Sequence, residues 1–365
     1  MNIFRNPEHL LQYLSDIIQC ERQRHYWTCL MKANIESLRK EGIGGGNLSS
    51  NEIKSIKELY HKTPKFSNIF HKFYTQATGL FFPHYMPDSL YYQYVDPYYN
   101  NWKMAQYIDH KGLYKDMFHG VRQPKLLGCR MNGYWYDGNG LLVSLDTIIS
   151  LMFCSKSCFI KQAMDSEGGH GIVFVDIPQH TKENVKKILT SSTYDVVVQE
   201  GLEQSPVLSA INSSSVNTIR LLTLFTKAGD VKIYSVILRM GINGAKVDNA
   251  SSGGITVGVE KDGRLKPVAY NAKGKRFDRH PTSGVKFDDY IIPNFESVKT
   301  TVKDLATRLP HFRLVSWDVA LDTENNPVII EANLKFGEID FHQLNNGPLF
   351  GEDTKLILDE VFGAV

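Results

Sequence analysis

The sequence predicts an α+β fold in which a helical first third is followed by short strands interspersed with helices. Two patterns carry this expectation. Early in the chain apolar residues recur at helical spacing with charge between them, and after residue 120 short β-rich runs take over. At 365 residues the chain is long enough for two or three packed subdomains.

Leu10, Leu11, Leu14, Ile17 and Ile18 begin the helical pattern, and Trp27, Leu30, Met31, Ile35 and Leu38 continue it. Its apolar face is expected to pack on the protein's own core rather than on a membrane surface or a partner. The run Gly42–Ser50 must break the pattern. Ser50 then caps a second helix through Tyr60, which Pro64 shuts off. From Phe81 to Tyr107 aromatic rings crowd together; they suit an irregular core and, as the alternative, a platform for the apolar face of a sugar. Strands are expected at Cys158–Gln162, Ile172–Asp176, Val196–Gln199, Thr218–Thr226, Val231–Met240, Leu314–Leu321 and Val328–Ala332, and helices at Leu145–Phe153, Thr181–Leu189 and Phe295–Leu309. The sequence has no internal repeat and no low-complexity segment.

Lys plus Arg is 41 and Asp plus Glu is 39, so the formal charge of +2 argues against a nucleic-acid-binding protein. The longest apolar stretch, Gly140 to Cys154, contains Asp146 and is shorter than the roughly 20 residues of a membrane span. The N-terminal residues lack a secretory pattern, so a cytoplasmic location is expected. Five scattered cysteines have no second pair or histidine at zinc spacing and are expected as reduced, mostly buried thiols.

The strongest chemical signal lies near the C-terminus. Phe312–Leu321, a polar turn at Asp322–Asn326 and Pro327–Asn333 read as a hairpin. A turn centred between Glu324 and Asn325 pairs residues whose numbers sum to 649, which sets Asp318 opposite Glu331 and puts Asn333 on the same face. Like charges directly opposite destabilise a sheet. A hard divalent cation would offset them; the alternative is a bulge that shifts the register and leaves the carboxylates to solvent or a basic partner. A second signal is Lys161 on a strand before Ser166–Gly171, where Gly168, Gly169 and Gly171 flank His170. Its composition suits a phosphate cradle as well as an ordinary turn, and it is neither a Walker loop nor a Rossmann fingerprint.

Together these residues resemble the ATP-grasp superfamily, and specifically its sugar-transfer-associated branch found with polysaccharide genes. Asp318, Glu331 and Asn333 match the family's metal signature. Ser215–Arg220, Leu238–Gly241, Val247–Asn249 with Ser252–Gly254, and His280–Gly284 resemble further segments of the branch, over roughly residues 90 to 350. The resemblance implies two α+β subdomains sandwiching ATP behind a helical N-terminal extension, with boundaries at residues 1–100, 101–200 and 201–365.

It also implies roles. Asp318, Glu331 and Asn333 would hold Mg²⁺, or Mn²⁺ in its place; Lys111 and Lys161 would contact the ATP phosphates under Gly168, Gly169, His170 and Gly171. Glu200, Gly201 and Leu202 would form the hinge that reads adenine, with Glu203 at the ribose. Asn217, Arg220, Arg239, Asp248, Asn249, Ser252, Gly253 and Gly254 would line the acceptor side. Many relatives carry an arginine two residues before the first metal aspartate, where this chain has Ser316, so Arg220 or Arg239 must supply that charge. The implied reaction is a ligation, with Arg220, Arg239 and Lys161 as its catalytic residues. ATP activates a small-molecule carboxylate, a sugar acid or an amino acid, as an acyl phosphate that an amine or similar nucleophile attacks, releasing ADP and phosphate. The alternatives are a kinase acting on a hydroxyl, with Asp248 as base, and a non-catalytic nucleotide-binding protein.

Overall fold

The computed structural model describes residues 7–108, 110–164, 171–248 and 253–363, and the chain divides into two units. One gathers the chain up to Tyr98, Ala272–Arg276 and the stretch from Glu338 onward; the other holds Tyr99–Asn271 and Phe277–Gly337.

The first unit is helical. Its opening helix spans Pro7–Lys40, and Met31, Ile35 and Leu38 are buried within the unit. The second helix, Ser50–Leu59, is capped by Ser49 rather than Ser50. The reason is Glu52: the Ser49 hydroxyl accepts from the Glu52 N–H while the Glu52 carboxylate accepts from the Ser49 N–H, which requires the acid three residues after the cap. Tyr85, Tyr91 and Tyr92 are buried, Tyr85 stacked on Tyr74 at 5.0 Å and Tyr92 on Trp27 at 4.6 Å, so these rings fill a core.

The second unit contains two sheets. The smaller takes β1 (Leu126–Met131), β2 (Tyr134–Asp137), β3 (Leu142–Val143), β4 (Ser157–Gln162), β5 (Val173–Asp176) and β6 (Val196–Glu200) in the order β3-β2-β1-β6-β4-β5. Alternation along β4 and β6 buries Cys158, Ile160, Val196 and Val198 with the helices Leu145–Met152 and Lys182–Ser191. The opposite face therefore carries Phe159, Lys161, Val197 and Gln199.

The larger sheet takes β7 (Thr218–Phe225), β8 (Val231–Met240), β9 (Ile255–Val259), β10 (Leu265–Asn271), β11 (Arg276–Phe277), β12 (Leu314–Leu321) and β13 (Pro327–Asn333) in the order β11-β10-β9-β8-β7-β12-β13. Ile219, Leu221, Val236, Leu238, Val315, Trp317 and Val319 belong to one apolar core with the helix Phe295–Thr307. All eight residues of β12 are buried, so its second face is covered as well. The five cysteines are free thiols, but only Cys129 and Cys158 are buried, while Cys29 and Cys154 are exposed because each lies on an outer helix surface or just past a helix end. No helix among the described residues is long and apolar enough to cross a membrane.

Candidate active site

The second face of the larger sheet carries the polar residues. Register sets Thr218 opposite Arg239, Arg220 opposite Asp318, Asp318 opposite Glu331 and Ser316 opposite Asn333. The expected Asp318–Glu331 pairing is present, but by a different route. The Asp322 N–H donates to the Asn326 carbonyl and the Asn326 N–H to the Asp322 carboxylate, the turn centres on Glu324, and Asn325 takes a positive φ of 65°. From there residues pair with numbers summing to 648, as in Val319 with Ile329. A bulge with Ile330 as the extra residue then moves the sum to 649. Had the first register continued, Ile330 would oppose Asp318, and Glu331 would oppose Trp317 on the apolar face.

Asp318 is gripped from one side of β12, by Arg220 on the adjacent β7 and Arg239 on β8 beyond it. Arg220 donates Nε to Oδ1 and Nη2 to Oδ2, each at 2.7 Å, and Arg239 donates Nη1 to Oδ2 at 3.0 Å. The side chains of all three are only 5–6% exposed. Burial pushes the Asp318 carboxyl up, but the Arg220 and Arg239 guanidinium groups outweigh it and hold the group below the usual carboxylate range. Arg239 also lies 3.9 Å from Asp248, whose carboxylate accepts from the Thr218 hydroxyl.

Glu331 has a different partner. Lys111 Nζ stands 2.9 Å from its Oε1, while the Lys111 N–H bonds to the Ala163 carbonyl just past β4. Lys161 feels the same cluster: burial lowers its pKa, with Glu331 and Asp248 raising it and Lys111 lowering it further. Among the described residues the charges gathered here are Lys111, Lys161, Arg220 and Arg239 against Asp248, Asp318 and Glu331, four cations against three carboxylates.

Glu200 ends β6 with Lys125 at 3.4 Å, and Glu203 pairs with Lys156 at 2.6 Å on the surface. Gly201 donates its N–H to the Ser157 carbonyl so closely that an added Cβ would sit 2.1 Å from Ser157 Oγ. Leu202 follows it without regular structure. Gly171 has a positive φ of 74°, Gly253 one of 83°, and Gly254 is buried. Gly168, Gly169, His170, Asn249 and Ser252 lie outside the described residues.

Asn217 is not brought to the cluster. Alternation turns it away from Thr218 and Arg220, and its buried amide donates to Leu208 and Asn212 carbonyls at 2.8 Å and to Gln204 Oε1 at 3.1 Å. It ties the segment before β7 together. His280 is similarly internal, its Nε2 bonded to the Gly241 carbonyl at 2.9 Å and its Nδ1 accepting from Thr282 and Ser283.

A cavity of about 420 Å³ opens beside Lys111, bordered by Lys115, Lys125, Leu126, Asn139 and Gln199. Lys115 and Lys125 belong to none of the motifs that mark the site in the sequence. The four-residue spacing from Lys111 to Lys115, one helical turn, was the available signal for the former.

The donors at the hairpin suit a hard cation. Glu331 and Asn333 offer oxygens, and no group of three or more His, Cys, Asp or Glu side chains in a metal-holding arrangement occurs among the described residues. Mg²⁺ takes one or two protein oxygens of this kind together with substrate phosphates and water, so these residues fit such an ion.

Three solved structures are similar to parts of this chain. The biotin carboxylase domain of Hydrogenobacter thermophilus 2-oxoglutarate carboxylase shares 12% identity at a TM-score of 0.45, covering 72% of this chain and 47% of that one. The ATP-grasp ligase PsnB shares 11% at 0.41, covering 72% and 64%. The D-alanine-D-alanine ligase of Coxiella burnetii shares 9% at 0.39, covering 69% and 58%. The chain thus spans less than two thirds of the length of each. No curated protein matches it significantly. A family model described as sugar-transfer associated ATP-grasp matches residues 90–356. Since that match covers well over half of its length, the chain belongs to the sugar-transfer associated ATP-grasp family.

Proposed function

We propose that this protein is an ATP-dependent ligase that joins a carboxylate to an amine or similar nucleophile, with ADP and phosphate as products. The observation that carries the proposal is the Lys111 bridge, whose backbone is tied to the end of β4 and whose ammonium reaches Glu331 on the hairpin. Phosphoryl transfer needs positioned cations more than a covalent nucleophile, and this bridge gathers them at one place.

In this proposal Lys111 and Lys161 hold the ATP phosphates, and the hinge at Glu200–Leu202 receives the adenine. Mg²⁺, held on the hairpin's oxygen donors, would neutralise phosphate charge as phosphoryl transfer proceeds. Arg220 and Arg239 stabilise the oxyanions of the transferred group, a carboxylate oxygen attacks the γ-phosphorus, and ADP leaves. The nucleophile then attacks the acyl carbon, expelling phosphate. Asp248, beside Arg239, borders the acceptor together with Gly253 and Gly254. The family's link to sugar transfer favours a sugar acid, or an amino acid to be joined to a sugar, in a polysaccharide pathway of the cytoplasm.

A screen of acids and amines with coupled ADP detection tests this. With the right acid and ATP, hydroxylamine should trap a hydroxamate, and Lys161→Ala should abolish turnover. Formation of AMP and pyrophosphate would overturn the mechanism, and ADP with a stable phosphorylated alcohol would identify a kinase.

A further inference from the structure

The two carboxylates that face each other across the hairpin occupy unlike environments. Asp318 lies on a strand flanked on both sides, its side chain is 5% exposed, and three guanidinium N–H groups at 2.7, 2.7 and 3.0 Å already fill most of its lone-pair positions. The Arg220 contact is the two-pronged, coplanar kind that fixes orientation as well as charge. A dication placed on Asp318 would also sit against two guanidinium charges. Glu331 is on the last strand of the sheet and 26% exposed, and it pairs with Lys111 at 2.9 Å while the Lys161 charge also acts on it, both point charges on long stems that phosphate can draw away. Asn333 donates its amide to the Ser316 carbonyl at 3.0 Å and also to the Asp318 carboxylate, an arrangement that leaves Oδ1 as the oxygen to offer a ligand.

Building on the ligase reading, we propose that Asp318 is a positioning residue for Arg220 and Arg239, and that the divalent cation is carried by Glu331 and Asn333. The paired acids then divide two tasks. Asp318 sets the direction of the arginines toward the transferred phosphoryl group, and Glu331 exchanges Lys111 for the cation as nucleotide enters.

Mn²⁺ in the presence of ADP, titrated by electron paramagnetic resonance on the full chain, separates the two roles without any turnover. Glu331→Gln is expected to weaken Mn²⁺ about tenfold or more and Asp318→Asn by no more than about threefold. Asp318→Asn should instead lose the preference for adenylyl imidodiphosphate over ADP in calorimetry, because its arginines no longer point to the γ-phosphate. Arg220→Lys keeps the charge and breaks the fork, so it should reproduce that loss with Mn²⁺ affinity unchanged, and it stands in should Asp318→Asn not fold. Equal Mn²⁺ losses in Asp318→Asn and Glu331→Gln would overturn the division of roles while leaving the ligase reading intact. Failure of the unaltered protein to bind Mn²⁺ with ADP would overturn both.

Discussion

Glu331 stands opposite Asp318 because of one extra residue between it and the turn, Ile330, and each acid meets its own cation there: Arg220 and Arg239 on Asp318, Lys111 on Glu331. A repulsive cross-strand pair is thereby turned into two adjacent attractive clusters on a face that the rest of β12 keeps buried.

Removing one side of the Asp318 cluster should be costly. Arg220→Met leaves a buried carboxylate short of its two-pronged partner, with an expected loss of about 3–5 kcal/mol in urea unfolding at pH 7. The loss should shrink in acid. Asp318 has a lowered folded pKa, so its contribution is present above the unfolded value near 3.9 and fades as pH falls through the folded one. A pH-independent loss would contradict the buried ion-pair account.

Lys161 should show opposite effects on stability and on binding. Burial disfavours its ammonium, so Lys161→Met is expected to raise the melting temperature without nucleotide while weakening ATP in calorimetry. The stability gap between variant and parent should narrow as pH rises toward the ordinary lysine value of about 10.4. A variant that melts lower and binds ATP normally would contradict both parts.

Gly201 is a matter of space. Gly201→Ala brings a methyl against Ser157 Oγ and, at 3.2 Å, the Ser157 carbonyl, so a destabilisation of about 1–3 kcal/mol is expected. Combining it with Ser157→Ala should recover part of that loss by removing the nearer atom. Strict additivity of the two changes in a double-mutant cycle would show that the contact does not matter.

Acid sensitivity should have a histidine component. His71 is buried with Nε2 bonded to the Pro83 carbonyl, and burial pushes its pKa down to about 4. Below the ordinary value near 6.5 the unfolded chain takes a proton that the folded one refuses, which removes about 1.4 kcal/mol per pH unit until pH 4. The His71 ring signals should show no titration at pH 6 in a nuclear magnetic resonance experiment. A midpoint near 6.5 would mean that the ring is solvated.

The sequence was most legible where alternation is strict. β8 and β12 have the bounds expected of them, and the helix at Phe295 starts where its apolar stripe does. β1 and β9 escaped notice because a glycine interrupts each apolar run, at Gly128 and Gly258. The hairpin shows a deeper limit. The turn sits half a residue nearer the N-terminus than the pattern implies and the bulge adds one residue back, so the two offsets compensate and Asp318 faces Glu331 all the same. Arg220 and Arg239 were expected near the phosphates. Their grip on Asp318 depends on β12 lying beside β7, a neighbour relation between segments some hundred residues apart that local pattern does not encode.

β13 is the outermost strand of its sheet, the position from which β proteins most readily recruit a stranger's strand. The irregularity at Ile330 interrupts its ladder of backbone groups, and the Arg122 carbonyl takes up the N–H of Ile329 next to it. The residue that aims Glu331 thus also spoils the template for edge-to-edge aggregation, so a substitution that straightens β13 would endanger colloidal stability along with chemistry.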